Sequence, residues 1–262
     1  MKIFSEFFGR EIEIPDNPKR IISLAPDVTE IIFKLKAEEK LKGISFFCRR
    51  PSGKLENYER VGSYLRVSWD KIEKIKPDLV LTTSGAQRKI AFEILERGYN
   101  IFVIPLPQSI YGILDNIKKL SVILNRAEEG YRLIDKLVKK INELREDKIK
   151  KRVYYEVYLG GKITVGSSSY INDGLKLIGL HNIYSFKKQS YFEPDDNETK
   201  KLDFDLILYE PHSDKIEKKK IIKELEKRFG KKEIIILPHD FLTHYGPSFI
   251  DEVLVELKKK IY

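Results

Sequence analysis

The stretch Lys19-Arg20-Ile21-Ile22-Ser23-Leu24-Ala25-Pro26-Asp27-Val28-Thr29-Glu30-Ile31-Ile32 decides the fold, and Ile75-Lys76-Pro77-Asp78-Leu79-Val80-Leu81-Thr82-Thr83 answers it further along the chain. Each piece is a short apolar run that stops at small, polar residues. Residues 21–24 have the length and β-branching of a buried strand. Pro26 and Asp27 end it, and Thr29-Glu30 open a helical pattern. Residues 79–81 repeat the grammar, with Thr82, Thr83, Ser84 and Gly85 at the carboxyl end. In open α/β sheets ligands lie outside the carboxyl ends of the strands, so this layout predicts a binding cleft.

The alternation continues outward. Residues 41–47 read as a second strand running into a loop at Cys48-Arg49-Arg50-Pro51-Ser52-Gly53, residues 62–68 as another loop, and residues 69–75 as a short helix. Residues 86–98 form a helical pattern that stops at Gly98, a natural C-cap, and residues 101–104 a strand that ends at Pro105. Strands and helices alternating through short loops predict a parallel sheet covered by helices on both faces. Ile110, Ile113, Leu114, Ile117, Leu120, Ile123 and Leu124 then keep helical spacing. After Asn125-Arg126, so do Tyr131, Ile134, Leu137, Val138, Ile141 and Leu144. This second helix, of about 20 residues and so roughly 30 Å long, either bridges two strand-rich halves as a stiff rod or lies on the surface of one domain.

The second half alternates again. Strands at 153–159 and 163–165 flank the tight turn Gly160-Gly161, and Gly166-Ser167-Ser168-Ser169 precedes a helix at 170–178. A strand at 206–209 ends at Glu210-Pro211-His212, a helix spans 216–229, a strand at 234–237 ends at Pro238-His239-Asp240, and a helix at 249–261 closes the chain. The expected architecture is α/β: two Rossmann-like lobes with parallel sheets, joined by a single long backbone helix, with a cleft between the lobes. Residues 1–108 form the first lobe, 109–150 the helical linker and 151–262 the second lobe.

Composition narrows the function classes. At 262 residues and 42% hydrophobic, the chain can bury a real core in one large or two small domains. No apolar run approaches the roughly 18 residues of a membrane span. The start, Met1-Lys2-Ile3-Phe4-Ser5-Glu6, lacks the features of a secretory signal, and no lipobox is seen. Either the protein works where it is made, in the cytoplasm, or an export signal lies outside this sequence. The single cysteine, Cys48, excludes an internal disulfide. One methionine and 34% charged residues resemble the composition of heat-adapted proteins. The net charge of +9 invites a nucleic-acid partner. Yet the Lys/Arg runs at 148–152, 218–220, 231–232 and 258–260 mostly lie beside acidic residues on helices, without interleaved aromatics or a known motif. They read as solvated helix faces, and no nucleic acid is expected.

Arg20-Ile21-Ile22-Ser23-Leu24-Ala25-Pro26 with Thr29-Glu30, then Gly43-Ile44-Ser45, Val61-Gly62-Ser63 and Lys76-Pro77-Asp78-Leu79-Val80 resemble, in order and spacing, the helical-backbone (class III) periplasmic binding proteins. These are the substrate-binding components of ABC importers for cobalamin, ferric siderophores and haem. Gly246-Pro247-Ser248-Phe249-Ile250 is similar to the Gly-Pro-Arg segment before the family's last helix, with Ser248 in place of the arginine. The resemblance covers essentially the whole chain. Ser45-Phe46-Phe47-Cys48-Arg49-Arg50-Pro51 is most similar to the cobalamin-binding branch. The resemblance implies a monomeric, non-enzymatic receptor on the extracytoplasmic face of a membrane, with an ABC permease and its ATPase as partners and a cobalt- or iron-containing chelate as ligand. It also implies a rigid linking helix at 127–147 and a nearly preformed cleft, which lowers the ordering cost of binding.

A corrinoid is a broad ring with amide arms and an apolar face, so its site needs aromatic or aliphatic surfaces and a few donors. The candidates of the first lobe are Pro26, Phe46, Phe47, Arg49, Tyr64, Arg66, Trp69, Ser84, Gln87 and Gln108. Those of the second are Tyr158, Ser168, Tyr170, Tyr191, His212, His239 and Tyr245. Each lies in or beside a loop expected at the carboxyl end of a strand. Trp69 reads either as a platform for a ring ligand or, with Ile72 and Ile75 beside it, as core; the core reading is preferred. His239-Asp240 with His244 offers imidazoles that suit cobalt, zinc or iron, but the spacing is not a recognised zinc pattern and no metal site is assigned. The resemblance further implies one permease-docking carboxylate per lobe. Asp70 takes the place where the family usually has glutamate, and Glu198 lies within one residue of the second place. Asp70 and Asp196 also read as ordinary N-cap residues.

An enzyme must show its chemistry, and the chain has no G-x-G-x-x-G after a strand, no P-loop and no G-x-S-x-G elbow. Gly160-Gly161 and Gly166-Ser167-Ser168-Ser169 are the runs whose backbone amides would hold an anion. A chelatase-like enzyme acting on a tetrapyrrole through His212 or His239 is the enzymatic alternative, and an interaction module the third reading.

Overall fold

The computed structural model describes all 262 residues, Met1–Tyr262. They divide into two compact units: Met1–Leu106 with Ile113–Leu137, and Pro107–Gly112 with Val138–Tyr262.

The first unit opens with an antiparallel hairpin, β1 (Lys2–Ser5) and β2 (Arg10–Glu13). Then β3 (Ile21–Ser23), α1 (Pro26–Lys34), β4 (Leu41–Ser45), β5 (Glu59–Gly62), α2 (Trp69–Ile75), β6 (Leu79–Thr83), α3 (Arg88–Glu96) and β7 (Ile101–Ile104) follow. The sheet order is β5-β4-β3-β6-β7, parallel throughout. Ile22, Leu24 and Val80 are buried with Ile72, Ile90, Ile94 and Ile101 in one cluster, as expected of strands covered on both faces.

The two opening segments are tied to each other. The Asp78 carboxylate accepts the N–H groups of Lys19 (2.7 Å) and Arg20 (3.0 Å). Arg20 donates through Nε to the carbonyl of Ile75 (2.9 Å), at the end of α2, where the chain turns through the left-handed Lys76 (φ 50°). Strand β3 therefore enters the sheet in register with β6, pairing Ile21 with Leu79 and Ser23 with Leu81. At its far end Pro26 occupies the first turn of α1, where a missing N–H costs nothing. Gly43 is also explained: a Cβ there would meet Ile75 and Val61 at 2.9 Å.

Helices α4 (Ile110–Ile123) and α5 (Ala127–Leu144) come next, and each contributes residues to both units. Helix α5 has 18 residues, so about 27 Å of length. Its buried stripe is Gly130, Leu133, Leu137, Ile141 and Leu144. The expected series is corrected at two positions, because Tyr131 is 65% exposed and Val138 is also exposed. Gly130 rotates the stripe: a Cβ on it would lie 2.4 Å from Ser121 of α4.

The second unit carries β8 (Lys151–Tyr158), β9 (Lys162–Val165), α6 (Tyr170–Leu177), β10 (Leu180–Asn182), β11 (Tyr191–Phe192), α7 (Asp196–Lys201), β12 (Leu206–Glu210), α8 (Lys218–Phe229), β13 (Glu233–Ile236) and α9 (Leu254–Ile261). Strands β8, β12 and β13 are parallel, and β10 pairs in parallel with the start of β8. The sheet is mixed, however, since β9 returns antiparallel along the end of β8 through a turn at Gly160 (φ 89°). The closing helix begins as a π-helical stretch, Phe249–Val253, before α9. The short elements β1, β2, β5, β10, β11 and α7 have no counterpart in the sequence expectation.

Gly130→Ala is expected to lower the melting midpoint. Overpacking at this contact, about 1–3 kcal/mol, exceeds the gain of up to about 1 kcal/mol in helix propensity. In a Ser121→Gly background the penalty should disappear; a penalty unchanged there would reject the contact as its cause.

Candidate functional site

The parallel sheet of the first unit sends its carboxyl ends into five loops, and most of the first-lobe candidates stand on them. After β4 the chain turns at Phe46-Phe47-Cys48. Phe46 N–H donates to the Gly62 carbonyl (2.7 Å), and Arg60 Nη1 donates to the carbonyls of Ser45 and Cys48 (both 2.8 Å). With the backbone held this way, the Phe46 and Phe47 side chains project out of the turn, 60% and 42% exposed. The strand expected to include both ends at Ser45 instead.

After β5 the chain folds back on itself. Ser63 N–H donates to the Arg66 carbonyl (2.7 Å), and Ser63 Oγ accepts the N–H groups of Leu65 and Arg66. Gly62 permits this, since a Cβ there would lie 2.7 Å from the Arg66 carbonyl oxygen. The fold-back stacks the Tyr64 ring on Phe47, with centroids 4.8 Å apart and planes 15° off parallel. Arg49 and Arg66 are exposed on the same two loops. The rim of the first unit is thus an aromatic pair with cations beside it and the exposed Phe46 and Leu65 around it. The sequence reading missed Leu65, whose only signal is its place after Tyr64.

Other candidates are built into the frame. Gln87 is fully buried; its Oε1 accepts the Thr83 N–H and its Nε2 donates to the Leu24 carbonyl (both 2.9 Å), bridging the ends of β6 and β3. Ser84 Oγ accepts the Leu106 N–H (2.8 Å). Pro26 is buried in α1, while Gln108 is exposed. Trp69 begins α2, as its spacing predicts, and it packs on the first-unit core, the preferred reading. The Arg97 guanidinium lies 3.9 Å from its ring centroid.

In the second unit Tyr158 ends β8 and His212 follows β12, their ring centroids 5.3 Å apart. Tyr158 is 39% exposed and Leu159 beside it more so. His239 follows β13; its N–H donates to Asp214 Oδ1 (2.9 Å) and its Nδ1 lies 3.1 Å from the Pro211 carbonyl. Tyr170 is completely buried, its hydroxyl donating to the Leu242 carbonyl (2.9 Å). Its ring contacts Tyr245 (5.6 Å between centroids) and Phe249 (4.9 Å). Tyr170 and Ser168 follow β9, which runs against the parallel strands, so they belong to the approach and start of α6 rather than to a parallel strand end. Tyr191 is half-buried in β11, its hydroxyl hydrogen-bonded to Tyr170 and Ser169 and, mainly through burial, pushed up to about 12.

The Gly166–Ser169 run is not arranged as an anion cradle. Gly166 and Ser167 direct their N–H groups at the carbonyls of Ser190 (3.4 Å) and Lys187 (2.7 Å), and Ser169 caps α6 by accepting the Ile171 N–H. A Cβ on Gly166 would lie 2.2 Å from the Lys187 carbonyl oxygen. Close backbone approach therefore accounts for the glycine. His239, Asp240 and His244 do not assemble a group of three metal-ligating side chains.

The two docking candidates differ in surroundings. Asp70 is exposed in the first turn of α2, whose N-cap is Ser68. Glu198 lies in α7, where Asp195 is the N-cap and not Asp196. Glu198 pairs with Lys187 at 2.6 Å. Helix α7 is anchored by Asp196, which receives Arg228 Nε (2.9 Å) and Nη2 (2.8 Å) and Lys162 Nζ (3.0 Å). Arg228 also makes a bidentate pair with the buried Glu156 (2.8 and 2.6 Å), which accepts the Tyr154 hydroxyl as well. Burial pushes the Asp196 carboxyl up, but the bonds from Arg228 and Lys162 outweigh it and hold the group below the usual carboxylate range.

A lowered carboxyl stabilises the fold fully above its unfolded value near 3.9 and loses that contribution as pH falls through the folded value. Arg228→Met leaves Glu156 buried and uncompensated, so it should cost about 3–5 kcal/mol at pH 7. The deficit should shrink below about pH 4 as Asp196 takes up its proton. Denaturant melts at pH 7 and pH 3 would show this; a deficit independent of pH would reject the ionic origin.

Comparison with known proteins places these features in a family context. A profile described as "Periplasmic binding protein" matches residues 21–231. The chain is 25% identical over 273 residues to the uncharacterized ABC transporter substrate-binding lipoprotein YvrC of Bacillus subtilis (strain 168), covering 97% of this chain and 83% of that protein. It is 28% identical over 181 residues to the vitamin B12-binding protein of Vibrio vulnificus (strain YJ016), covering 66% of this chain and 64% of that protein. Among solved structures, a protein of Staphylococcus epidermidis ATCC 12228 described as a possible iron-binding (periplasmic solute-binding) protein superposes with a TM-score of 0.79 at 23% identity, covering 94% of this chain and 99% of that one.

Proposed function

From the premise that the chain belongs to the periplasmic binding protein family, we propose that it is the substrate-binding component of an ABC importer and that its ligand is a metal chelate, a corrinoid first of all. The observation that carries this reading is the rim of the first unit. There the stacked Phe47 and Tyr64, with Phe46 and Leu65, leave apolar surface in solvent at the carboxyl edge of a parallel sheet. Aromatic and aliphatic groups gathered in one exposed place mark a binding surface rather than ordinary scatter, and this edge is where α/β folds take their ligands. A flat macrocycle suits such a surface. The relatives named for ABC transport and for vitamin B12 support the same reading.

One observation favours a second ligand class. Arg49 and Arg66 stand exposed on the two loops that carry the aromatic pair, and guanidinium groups recognise carboxylates in bidentate fashion. That chemistry suits the carboxylates of haem or of a ferric siderophore better than the neutral amide arms of a corrinoid. The corrinoid reading rests on the aromatics and on the vitamin B12-named relatives, the anionic-chelate reading on the arginines. Titration of the purified protein with cyanocobalamin, haemin and a ferric carboxylate siderophore separates them. We expect a visible-absorbance shift with micromolar or tighter binding for one of the three, weakened about tenfold or more in Phe47→Ala. Binding of none would overturn the proposal.

Delivery needs a permease and its ATPase, with the receptor working on the extracytoplasmic face of a membrane. No helix is long and apolar enough to cross the membrane itself. Asp70 in α2 and Glu198 in α7 are the carboxylates proposed to meet permease arginines. Reversal to Asp70→Lys or Glu198→Lys should abolish ligand-stimulated ATP hydrolysis by the cognate transporter in vesicles while ligand affinity stays unchanged; full stimulation by both variants would refute the assignment.

A further inference from the structure

Glu210 has no surface in solvent and ends β12, an otherwise apolar buried strand. Its Oε1 accepts the N–H groups of Phe241 (3.0 Å) and Thr243 (3.3 Å) and, at closer range, the Thr243 hydroxyl. Its Oε2 accepts the Leu242 N–H (2.9 Å) and the Tyr155 hydroxyl (2.9 Å). All but the last of these donors come from three consecutive residues in the loop after β13. That loop turns through the left-handed Asp240 (φ 57°), and β13 has ended before it, so its amides have no strand to pair with. Phe241 and Leu242 are buried. Without the carboxylate these N–H groups would lose their acceptor away from water, which is costly for each. Successive N–H groups converging on one anion form a nest, and here the anion is a side chain of the protein. Tyr170 fastens the same segment through the Leu242 carbonyl, and Asp214 fastens it at His239.

We propose that Glu210 is a positioning residue for ligand binding: its carboxylate is the template on which residues 239–245 fold, and so it decides where His239 and Tyr245 stand on the second unit's rim. The proposal rests on the ligand-binding reading above. It gives the loop a shape set before ligand arrives, which lowers the ordering cost of binding. Neither His239 nor Tyr245 has to touch Glu210 for this, because the backbone between them carries the constraint.

Glu210→Gln keeps the shape and replaces one acceptor oxygen with a donor NH2, which faces either the Leu242 N–H and Tyr155 hydroxyl or the Phe241 and Thr243 groups. The test is amide hydrogen exchange of the full unliganded chain, with β8 and β12 amides as internal reference, followed by titration with cyanocobalamin, haemin and a ferric carboxylate siderophore. We expect exchange at Phe241, Leu242 and Thr243 to quicken about tenfold or more with the strands unchanged. Affinity for the chelate bound by the wild type should fall by about tenfold. Thr243→Val, which removes only the hydroxyl donor, should move both readouts the same way by less and guards against a Glu210→Gln protein that fails to fold. Tyr155→Phe removes a donor outside the loop and should leave loop exchange unchanged. Wild-type exchange in both Glu210→Gln and Thr243→Val overturns the proposal, and so does faster exchange with undiminished affinity. A wild-type chain that binds none of the three chelates overturns the ligand reading and the positioning role with it; loop-specific exchange would then mark Glu210 as a structural clamp alone, so the two failures are distinguishable.

Discussion

The hydrogen bonds from the Lys19 and Arg20 amides to Asp78 are the constraint on which the first unit depends. Parallel strands have no hairpin to set their register, and a slip of one residue would turn every buried side chain of β3 to the wrong face. Asp78 prevents the slip at the edge where β3 and β6 begin, while Arg20 ties the end of α2 to the same point. Once that register holds, Ser23, Thr83 and the turn after β4 reach one carboxyl edge together. Gln87 then links the Leu24 and Thr83 backbones across it. One clip at the amino edge thereby decides what the opposite edge presents.

The second unit solves the same problem with buried charge. Glu156 and Arg228 join β8 to α8, and Arg228 extends the pair to Asp196 of α7. Glu210, at the end of the adjacent strand, gathers a loop instead of a helix. Burial pushes the Glu210 carboxyl up while the Thr243 and Tyr155 hydroxyls and the Leu242 amide oppose it. Buried ion pairs and hydrogen-bonded carboxylates contribute modestly to net stability, because desolvation offsets most of their attraction. Their value lies in geometry: each oxygen has its own donor, so alternative placements of α7 or of the loop leave a buried polar group unmatched.

The exposed aromatic rim follows from the same economy of constraints. Arg60 and the Gly62 fold-back consume the backbone hydrogen bonds of the loops after β4 and β5. The side chains of Phe46 and Phe47 stand exposed on that arrangement, with Tyr64 stacked on Phe47. A surface built on a satisfied backbone keeps its shape without ligand, which lowers the ordering cost of binding.

How much of this was legible in the chain depended on the range of the interaction. Period and punctuation are local, so the apolar runs at 21–24 and 79–81, Pro26 at a helix start and Gly98 at a helix end revealed the α/β alternation and most of the long elements. Short elements such as β5, β10 and α7 carry too few residues for a period to show. In α5, Leu137, Ile141 and Leu144 are buried as their spacing predicts, but Tyr131 and Val138 fall off the stripe, because Gly130 seats α5 against Ser121 in a contact between helices that helical spacing does not encode. Phe47 and Tyr158 could be singled out by residue type, but their exposure, like the burial of Gln87 and Tyr170, arises from hydrogen bonds that span long stretches of chain. Glu210 showed only as an acid at the end of an apolar strand; its five donors come from residues 155 and 241–243. Strand order, register and the acceptor of each buried amide are matters of long-range pairing, and folding alone brings those partners within reach.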